Sequence, residues 1–165
     1  MSKLTAISFC TLCFLTACAS IDHQSNEVEK VRAAAETWKT YYEAGNYDGL
    51  MTLYTDNPRV YLHGQPAIIG MQAVRDFFKP SVGKAKARFQ LEYEVIEVNG
   101  DTATLVSKYW LTVQTDNPEK PYRDQGRSLL IYKKDHRGDW KIAFDIDQAT
   151  PDVSWPDSEL LKKTY

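Results

Sequence analysis

Residues 89–95 have the sequence Phe-Gln-Leu-Glu-Tyr-Glu-Val, in which apolar and polar side chains strictly alternate. This period of two predicts a β-strand with one buried face and one solvated face. The strand leads into Asn99-Gly100-Asp101, and an Asn-Gly pair between apolar segments is a strong local signal for a tight hairpin. Residues 102–114 are again rich in β-favouring side chains. The stretch from 89 to 114 therefore predicts a long antiparallel hairpin.

Two further strands are predicted after this hairpin. Residues 127–133 and 140–146 are β-rich, and His136-Arg137-Gly138-Asp139 between them is typical of a turn. Residues 115–121 contain two prolines and predict a longer connection. The C-terminal half is thus predicted to form an antiparallel sheet, followed by an irregular tail.

The N-terminal half has the helical period instead. An apolar stripe at three- and four-residue steps predicts a helix from about Asn26 to the stop signal Gly45-Asn46. A second, short helix is predicted from Tyr47, with Tyr54 on its buried side and Asp56-Asn57-Pro58 ending it. The stripe of the first helix consists of Val28, Val31, Ala35, Trp38 and Tyr42.

A short strand over residues 60–62 and a third helix over residues 71–78 complete the N-terminal half. Helices that are segregated from an antiparallel sheet are typical of α+β domains. To bury both the helical stripe and the alternating strand face, the sheet must curve around the helices. The predicted fold is a cone-shaped curved antiparallel sheet wrapped around three N-terminal helices, with a pocket inside the cone.

The first residues predict a compartment. Lys3 precedes a short apolar run over residues 4–15, an order typical of a secretory signal peptide, and the run is shorter than the roughly 20 residues that span a bilayer. Leu15-Thr16-Ala17-Cys18 resembles a bacterial lipobox, which implies cleavage before Cys18 and lipid attachment to its thiol. Because Ala19 rather than Asp follows, the resemblance implies a lipid-anchored cell-envelope protein at the outer membrane, facing the periplasm. The alternative is an ordinary signal peptide or a short buried helix.

The predicted organisation has one folded domain behind this signal. Cleavage would leave Cys18 as the remaining cysteine, so a packed core rather than a disulfide must stabilise the domain. The formal net charge of −2 shows no basic excess, which argues against a nucleic-acid partner. The predicted segments are a signal peptide (1–17), a lipidated cysteine and tether (18–26), one domain (27–150) and a tail (151–165).

Five short motifs occur in the order and spacing of one known family. They are Gly45-Asn46-Tyr47-Asp48, Gly70 with Ala73-Val74, Asn99-Gly100-Asp101, Asp124 with Gly126-Arg127, and Gly138-Asp139-Trp140-Lys141-Ile142. Together they resemble a SnoaL-like domain of the nuclear transport factor 2-like superfamily, over about residues 28–148. The resemblance implies a cone-shaped α+β fold that is often a dimer through its sheet. It implies no single activity, because members include isomerases, cyclases, dehydratases, carrier-type binders and assembly modules.

The catalytic residues of the ketosteroid isomerase type are not matched. That type uses a Tyr in the first helix, an Asp base on the first strand and a protonated Asp on a later strand. Trp38 falls at the Tyr position and Leu62 near the base position, and neither side chain can perform that chemistry. A cyclase-type acid could be Asp145 or Asp147, and the sequence leaves open which of the two faces the pocket.

An unusually aromatic set of side chains is expected to line the pocket. A buried Tyr needs a partner for its hydroxyl, so a cluster of Tyr favours a pocket that holds water or a small apolar or aromatic ligand. The candidate ligand-binding residues are Trp38, Tyr42, Tyr54, Tyr61, His63, Trp110, Arg127 and Asp145.

Two of these candidates have competing interpretations. His63 could act as a general base with an acid such as Asp145, or it could be an idle residue at a strand end. Arg127 could clamp a ligand carboxylate, or it could pair with Asp124 or Asp145 and hold two strands together.

No cofactor or metal is predicted. The sequence contains no His-x-x-x-His pair, no Asp-rich calcium loop and no glycine-rich phosphate loop. Strands over residues 89–98 and 102–113 are apolar on both faces, which predicts a homodimer through the outer face of the sheet. The predicted function is a membrane-anchored binder of a small molecule. The alternatives are a small-molecule enzyme of isomerase, cyclase or dehydratase type and an envelope assembly module.

Overall fold

The computed structural model describes residues 13–117 and 119–155, with side chains from residue 24 onward. Most of the predicted signal peptide and most of the predicted tail lie outside these residues, and the side chain of Cys18 is not described. No helix in the described part of the chain is both long and apolar enough to cross a membrane. The elements are α1 (Cys13–Glu43), α2 (Tyr47–Met51), β1 (Tyr54–Tyr61), β2 (Ile68–Ile69), α3 (Met71–Phe78), β3 (Ala87–Asn99), β4 (Thr102–Val113), β5 (Tyr122–Lys134) and β6 (Trp140–Gln148).

Six strands form one curved sheet in the order β2-β1-β6-β5-β4-β3. The last four strands are antiparallel neighbours, as predicted, and β3 pairs with β4 along its full length. The first strand, however, runs parallel to β6, so the sheet is not wholly antiparallel. After β1 the chain passes through β2 and α3 and enters β3 at the far edge of the sheet. Three antiparallel connections then lead from β3 to β6. They bring β6 beside β1 in the same direction, which makes this pair parallel.

Helix α1 packs one stripe against the inner face of the sheet. Val31 and Ala35 are buried, and the half-buried Trp38 and Tyr42 extend the stripe. Burying one such apolar side chain stabilises a fold by roughly 1.5–3 kcal/mol, so this layer is a main source of stability. The buried side chains of the sheet that complete it include Val60, Leu105, Tyr132 and Ile142.

Helix α1 begins at Cys13 and not near Asn26, so the predicted start is wrong. Gln24, Ser25 and Asn26 belong to the helix but are exposed. An apolar stripe marks only those turns of a helix that pack on a core, and a solvent-facing extension does not carry it.

Strand β1 begins at Tyr54, and the prediction of a helix through Tyr54 is wrong. The predicted helix stop at residues 56–58 lies inside this strand. Pro58 is tolerated there because the register between β1 and β6 shifts between Tyr54 and Arg59, and a proline fits where the ladder is interrupted. The carbonyl of Pro58 accepts a hydrogen bond from the backbone N–H of Gly70, the residue between β2 and α3 at the sheet edge.

Other bounds agree more closely with the predictions. Helix α3 and the β3–β4 hairpin are confirmed, including the turn at Asn99-Gly100-Asp101. Strand β5 begins at Tyr122, five residues before its predicted start, and the two-residue β2 was not predicted. Short edge strands and strand ends carry too few residues to show a period.

Candidate functional site

The inner face of the sheet, α1 and α3 enclose a cavity of about 540 Å³. Cross-strand register decides which side chains reach it. Leu91 pairs with Tyr109, and Tyr93 pairs with Ser107, which in turn pairs with Ser128. All five side chains line the cavity, and alternate positions on the same strands face away.

Aromatic rings form the wall on the helical side. Trp38 and Tyr42 lie one turn apart on α1 and stack with ring centroids 5.2 Å apart. Phe89 on β3 meets both rings edge-on, at 5.4 Å from Trp38 and 5.2 Å from Tyr42. Phe78 at the end of α3 contacts the same two rings at 6.3 Å. These contacts fix the rings against one another and leave the centre of the cone open.

Exposed lining residues mark the opening of the cavity. They lie in two loops, one over residues 63–65 and the other over residues 80–85, together with Tyr122 at the start of β5. Lys84 and His63 are both exposed there. The base of the cavity is apolar except for a few polar groups, an arrangement typical of small-molecule sites.

Three carboxyl side chains line the cavity. Asp145 and Asp147 are two residues apart on β6 and therefore point to the same face. Asp124 reaches the same cavity from β5. None of the three forms an ion pair with a described residue.

Asp145 is the deepest of these carboxyls, with 8% of the residue exposed. The hydroxyl of Tyr54 lies 3.4 Å from its Oδ2 atom and donates to it, while Trp38 Nε1 donates to Tyr54 Oη over 2.9 Å. Burial, and then the nearby charge of Asp147, raise the pKa of Asp145 from 3.8 to about 7, and the Tyr54 hydrogen bond opposes that rise. A buried carboxyl with a pKa near neutrality can hold or release a proton under physiological conditions.

Asp147 lies nearer the opening. Its Oδ1 atom accepts a hydrogen bond of 2.6 Å from the backbone N–H of His63. The pKa of Asp147 is raised overall. Burial is the largest cause, the hydrogen bond from the His63 N–H opposes it, and the charge of Asp124 adds to it. Tyr109 Oη lies 3.5 Å from Asp124 Oδ2, and burial together with the charges of Asp147 and Asp124 raises the pKa of that phenol above its ordinary value.

One buried hydroxyl close to these acids has no hydrogen-bond partner. Tyr132 Oη on β5 is fully buried and finds none among the described residues. Burial is the largest cause of the raised pKa of Tyr132, and the charge of Asp145 is the next. An unsatisfied buried hydroxyl is unusual, and this one belongs to a residue that does not itself line the cavity.

The structure brings four of the predicted site residues to the cavity. Trp38 and Tyr42 form its wall, Asp145 lies at its base, and His63 lies at its opening. The backbone of His63, and not its imidazole, provides the hydrogen bond to Asp147. The sequence left Asp145 and Asp147 as alternatives, and both reach the cavity.

The other predicted residues do not line it. Tyr54 is buried behind the wall and reaches the cavity only through Asp145. Tyr61 pairs with Ile146 on the far side of the sheet, where its hydroxyl lies 3.5 Å from an Arg59 nitrogen. Trp110 also faces away, because its neighbour Tyr109 faces inward.

Arg127 lies on the outer face of the sheet too. It pairs across the strands with Lys108 and binds Glu94 and Asp152 at 2.7–3.1 Å, and not Asp124 or Asp145 as considered from the sequence. Its role is to fasten the segment after β6 onto the outer face. Trp110 Nε1 contributes to the same attachment by donating to the carbonyl of Ser154 over 2.9 Å.

Sequence reasoning missed several residues that line the cavity. Phe89 and Leu91 could have been found, because they share a strand face with Tyr93 in the alternating segment. Asp124 could not, because only the register of β5 with β4 places it on the inner face. Among the described residues, no group of three or more His, Cys, Asp or Glu is arranged to hold a metal ion.

This geometry, a curved sheet closed by helices around a cavity, defines a cone-shaped α+β domain of the nuclear transport factor 2-like class. The family model described as the SnoaL-like domain matches residues 31–144. The chain belongs to the SnoaL-like domain family. No curated protein matches the chain by sequence.

Solved structures show the same fold. A protein of unknown function from Mycobacterium tuberculosis is 20% identical, with a TM-score of 0.69 and 86% of each chain covered. A nuclear transport factor 2-like protein with a cystatin-like fold from Novosphingobium aromaticivorans is 16% identical, with a TM-score of 0.67 over 92% of this chain and 97% of that one. A ketosteroid isomerase-like protein from Erwinia carotovora atroseptica is 18% identical, with a TM-score of 0.64 over 73% of this chain and 94% of that one. At these identities the similarity establishes the fold alone.

Proposed function

We propose that this chain is a small-molecule-binding domain that holds an apolar, ring-bearing compound in the cone. The observation that carries the proposal is the cavity of about 540 Å³, which stays open although Trp38, Tyr42 and Phe89 pack on one another. Ligand pockets of roughly 300–1,000 Å³ with apolar walls and a few polar groups are typical of small-molecule sites. The rings supply apolar contact, and the carboxyls at the base supply orientation.

A solvatochromic dye tests this function directly. Nile red is neutral, and its emission increases and shifts to shorter wavelength in an apolar site. We expect the protein to bind it, and Leu91→Trp to abolish binding because the larger side chain fills the cavity from β3. Gln90→Trp is the matched control, since residue 90 is the neighbouring position and faces away. Equal binding by both variants would place the dye outside the cavity and contradict the proposal.

A second candidate function is acid–base catalysis on the bound molecule, and the position of Asp145 favours it. Its carboxyl is buried at the base of an apolar cavity and has a pKa raised to about 7. Enzymes tune general acids and bases to the working pH in this way. The SnoaL-like family and the isomerase-like neighbour are consistent with such chemistry.

Ring opening of 5-nitrobenzisoxazole tests proton abstraction without knowledge of the substrate. A carboxylate removes the ring C–H proton, the N–O bond breaks, and a coloured cyanophenolate forms. We expect a rate that rises with pH through about 7 and is lost in Asp145→Asn. A rate that is unchanged in Asp145→Asn would leave the binding function and remove the catalytic one.

The proposal includes a location, which rests on the sequence Leu15-Thr16-Ala17-Cys18. Lipid on Cys18 would tether the domain to a bacterial membrane, and Ala19 favours the outer membrane with the domain in the periplasm. The cavity would then lie close to a membrane that is itself a source of apolar compounds.

The proposal also includes a homodimer through the outer face of the sheet. Val95, Val106, Leu129 and Ile146 form one row across four strands through successive pairs. Val95 is 38% exposed and Ile146 is 36% exposed, so the row is open to solvent at both ends. Apolar rows of this kind are typical of protein interfaces.

A further inference from the structure

The charges in the cavity are strongly unbalanced. Asp124, Asp145 and Asp147 line it, whereas the basic side chains among its described lining residues are Lys84 and His63, both exposed at the opening. No described basic side chain forms an ion pair with any of the three acids. The cavity therefore contains three carboxyls that no described basic side chain neutralises.

The other buried carboxyl among the described residues is paired with cations. Glu27 on α1 is 5% exposed, and Lys30 and Lys134 each bind it at 2.8 Å. Asp145 is buried to a similar degree, and among the described residues it receives one side-chain hydrogen bond, from Tyr54 to Oδ2. A buried carboxylate is stabilised by a paired cation, so a cationic ligand would supply at Asp145 what the two lysines supply at Glu27.

The polar atoms around Asp145 are also left incomplete. Its Oδ1 atom, which belongs to a side chain lining the cavity, accepts no hydrogen bond from the described residues. An acceptor oxygen that faces the cavity and receives no hydrogen bond from the described residues is available to a donor group on a bound molecule.

Aromatic rings line the same cavity as these acids. Trp38 and Tyr42 present a stacked pair to the cavity, and Phe89 closes the wall edge-on. Aromatic rings attract cations and accept flat apolar bodies. An anionic ligand would instead bring a negative charge next to three acids.

We infer that the ligand of this cavity is an organic cation, an apolar ring system that carries a protonated amine. The ammonium group lies among Asp124, Asp145 and Asp147, and the ring body lies against Trp38, Tyr42 and Phe89. This inference rests on the proposed small-molecule function and names its ligand class.

Three naphthalene probes of similar size but different charge test the ligand class. They are 1-naphthylmethylamine (cationic), 1-naphthylmethanol (neutral) and 1-naphthoate (anionic), titrated into the full chain by calorimetry at about pH 8, where carboxyls are ionised and alkylamines are largely protonated. Because a hydrogen bond to a charged group contributes roughly 1.5–3 kcal/mol, we expect the amine to bind about tenfold or more tightly than the alcohol. The carboxylate probe should bind most weakly.

Charge-removing variants then locate the ammonium group. Asp145→Asn should weaken amine binding about tenfold and leave alcohol binding within about twofold, since it removes the charge and keeps the shape. Asp56→Asn is the matched control, because Asp56 is exposed on β1 and does not line the cavity.

A measurement on the unmodified protein avoids any folding defect of the variant. Between about pH 8 and pH 5.5 the advantage of the amine over the alcohol should shrink as Asp145, whose pKa is about 7, takes up a proton. The other titratable groups that interact with this carboxyl or line the same cavity are Tyr42, Tyr54, His63, Lys84, Tyr93, Tyr109, Tyr122, Asp124, Tyr132 and Asp147.

The outcomes separate the two proposals. If the alcohol or the carboxylate binds as tightly as the amine, the cationic ligand class is wrong and the binding function stands. If none of the three probes binds and Nile red does not bind either, the small-molecule function fails and the ligand class fails with it.

Discussion

Tyr54 and Asp145 lie on neighbouring parallel strands, and the hydroxyl of Tyr54 donates to Asp145 Oδ2 across 3.4 Å, although 91 residues separate them in the chain. Trp38 Nε1 donates to the same hydroxyl from α1. A hydrogen-bonded series therefore runs from the helix, through a buried phenol, to the carboxyl at the base of the cavity. This arrangement makes Tyr54 a positioning residue for Asp145.

Tyr54→Phe should raise the pKa of Asp145 further, because it removes the donor that stabilises the carboxylate. The variant also leaves Trp38 Nε1 without its acceptor, which should cost about 1–2 kcal/mol of unfolding free energy. Carboxyl-selective NMR titration measures the pKa, and chemical denaturation measures the stability. An unchanged pKa of Asp145 in this variant would show that the 3.4 Å contact with Tyr54 does not stabilise the carboxylate.

The free energy of unfolding should depend on pH through the titration of Asp145. Its pKa is about 7 in the folded protein, against 3.8 for an ordinary Asp, so the folded state binds the proton more tightly than the unfolded state. This contribution is fully present below about pH 4 and is lost as the pH rises to about 7. Asp145→Asn should remove that decline and be more stable than the unmodified protein at pH 8 by roughly 2–4 kcal/mol. Thermal unfolding against pH tests this, and Asp56→Asn should retain the decline.

Glu27 should contribute to stability in its ionised form, so the protein should lose stability when this carboxylate is protonated at acidic pH. Hydrogen bonds from Lys134 and Lys30 lower its pKa from 4.5 to about 2, and Trp140 Nε1 donates to it over 3.1 Å. Its contribution is present above about pH 4.5 and is lost as the pH falls towards 2. Glu27→Gln should destabilise the protein at neutral pH by about 1–3 kcal/mol and flatten this acidic decline. Glu29→Gln, an exposed position on the same helix, is the matched control and should change stability little.

A charge placed in the apolar row should separate the proposed dimer. Leu129 lies in the middle of the row on β5, so Leu129→Arg would bring like charges together across a two-fold interface. Light scattering at micromolar concentration should give a dimer for the unmodified protein and a monomer for the variant. Gln72→Arg, an exposed position on α3, is the control. A monomer mass for the unmodified protein would contradict the dimer.

Lipid attachment is tested at Cys18. Mass spectrometry of the protein from bacterial membranes should show a chain that begins at a diacylated Cys18, and Cys18→Ser should leave an unprocessed precursor. The motive is the four-residue sequence from Leu15 to Cys18. A free thiol at Cys18, or cleavage at another site, would refute the anchor.

The elements that could be predicted are those with a local period. The β3–β4 hairpin follows from strict alternation and an Asn-Gly turn, and α3 follows from a compact apolar face. Trp38 and Tyr42 were placed correctly for the same reason, because a helical stripe has only one buried side. Tyr54 was assigned to a helix because the segment 47–54 is too short to distinguish a helix followed by a strand from a longer helix.

The candidate site could be predicted only in part, because a strand has two faces. Tyr109 and Trp110 are adjacent aromatic residues, and nothing local says which of them points inward; the structure turns Tyr109 to the cavity and Trp110 away. Arg127 was expected near the pocket and lies outside it, since its pairing with Lys108 puts it on the outer face. A one-residue change of register would reverse each of these assignments.

The sequence by itself determined the α+β class, the order of the helices and long strands, and the family, because each depends on periods and turns within short segments. Only the tertiary structure decided that Asp124, Asp145 and Asp147 meet in one cavity, where none of the described basic side chains forms an ion pair with them. Their meeting depends on pairings between strands that are far apart in the chain. The raised pKa of Asp145 depends on all the atoms that exclude water around it. Desolvation and charge proximity are properties of the packed fold, and no local stretch of sequence encodes either of them.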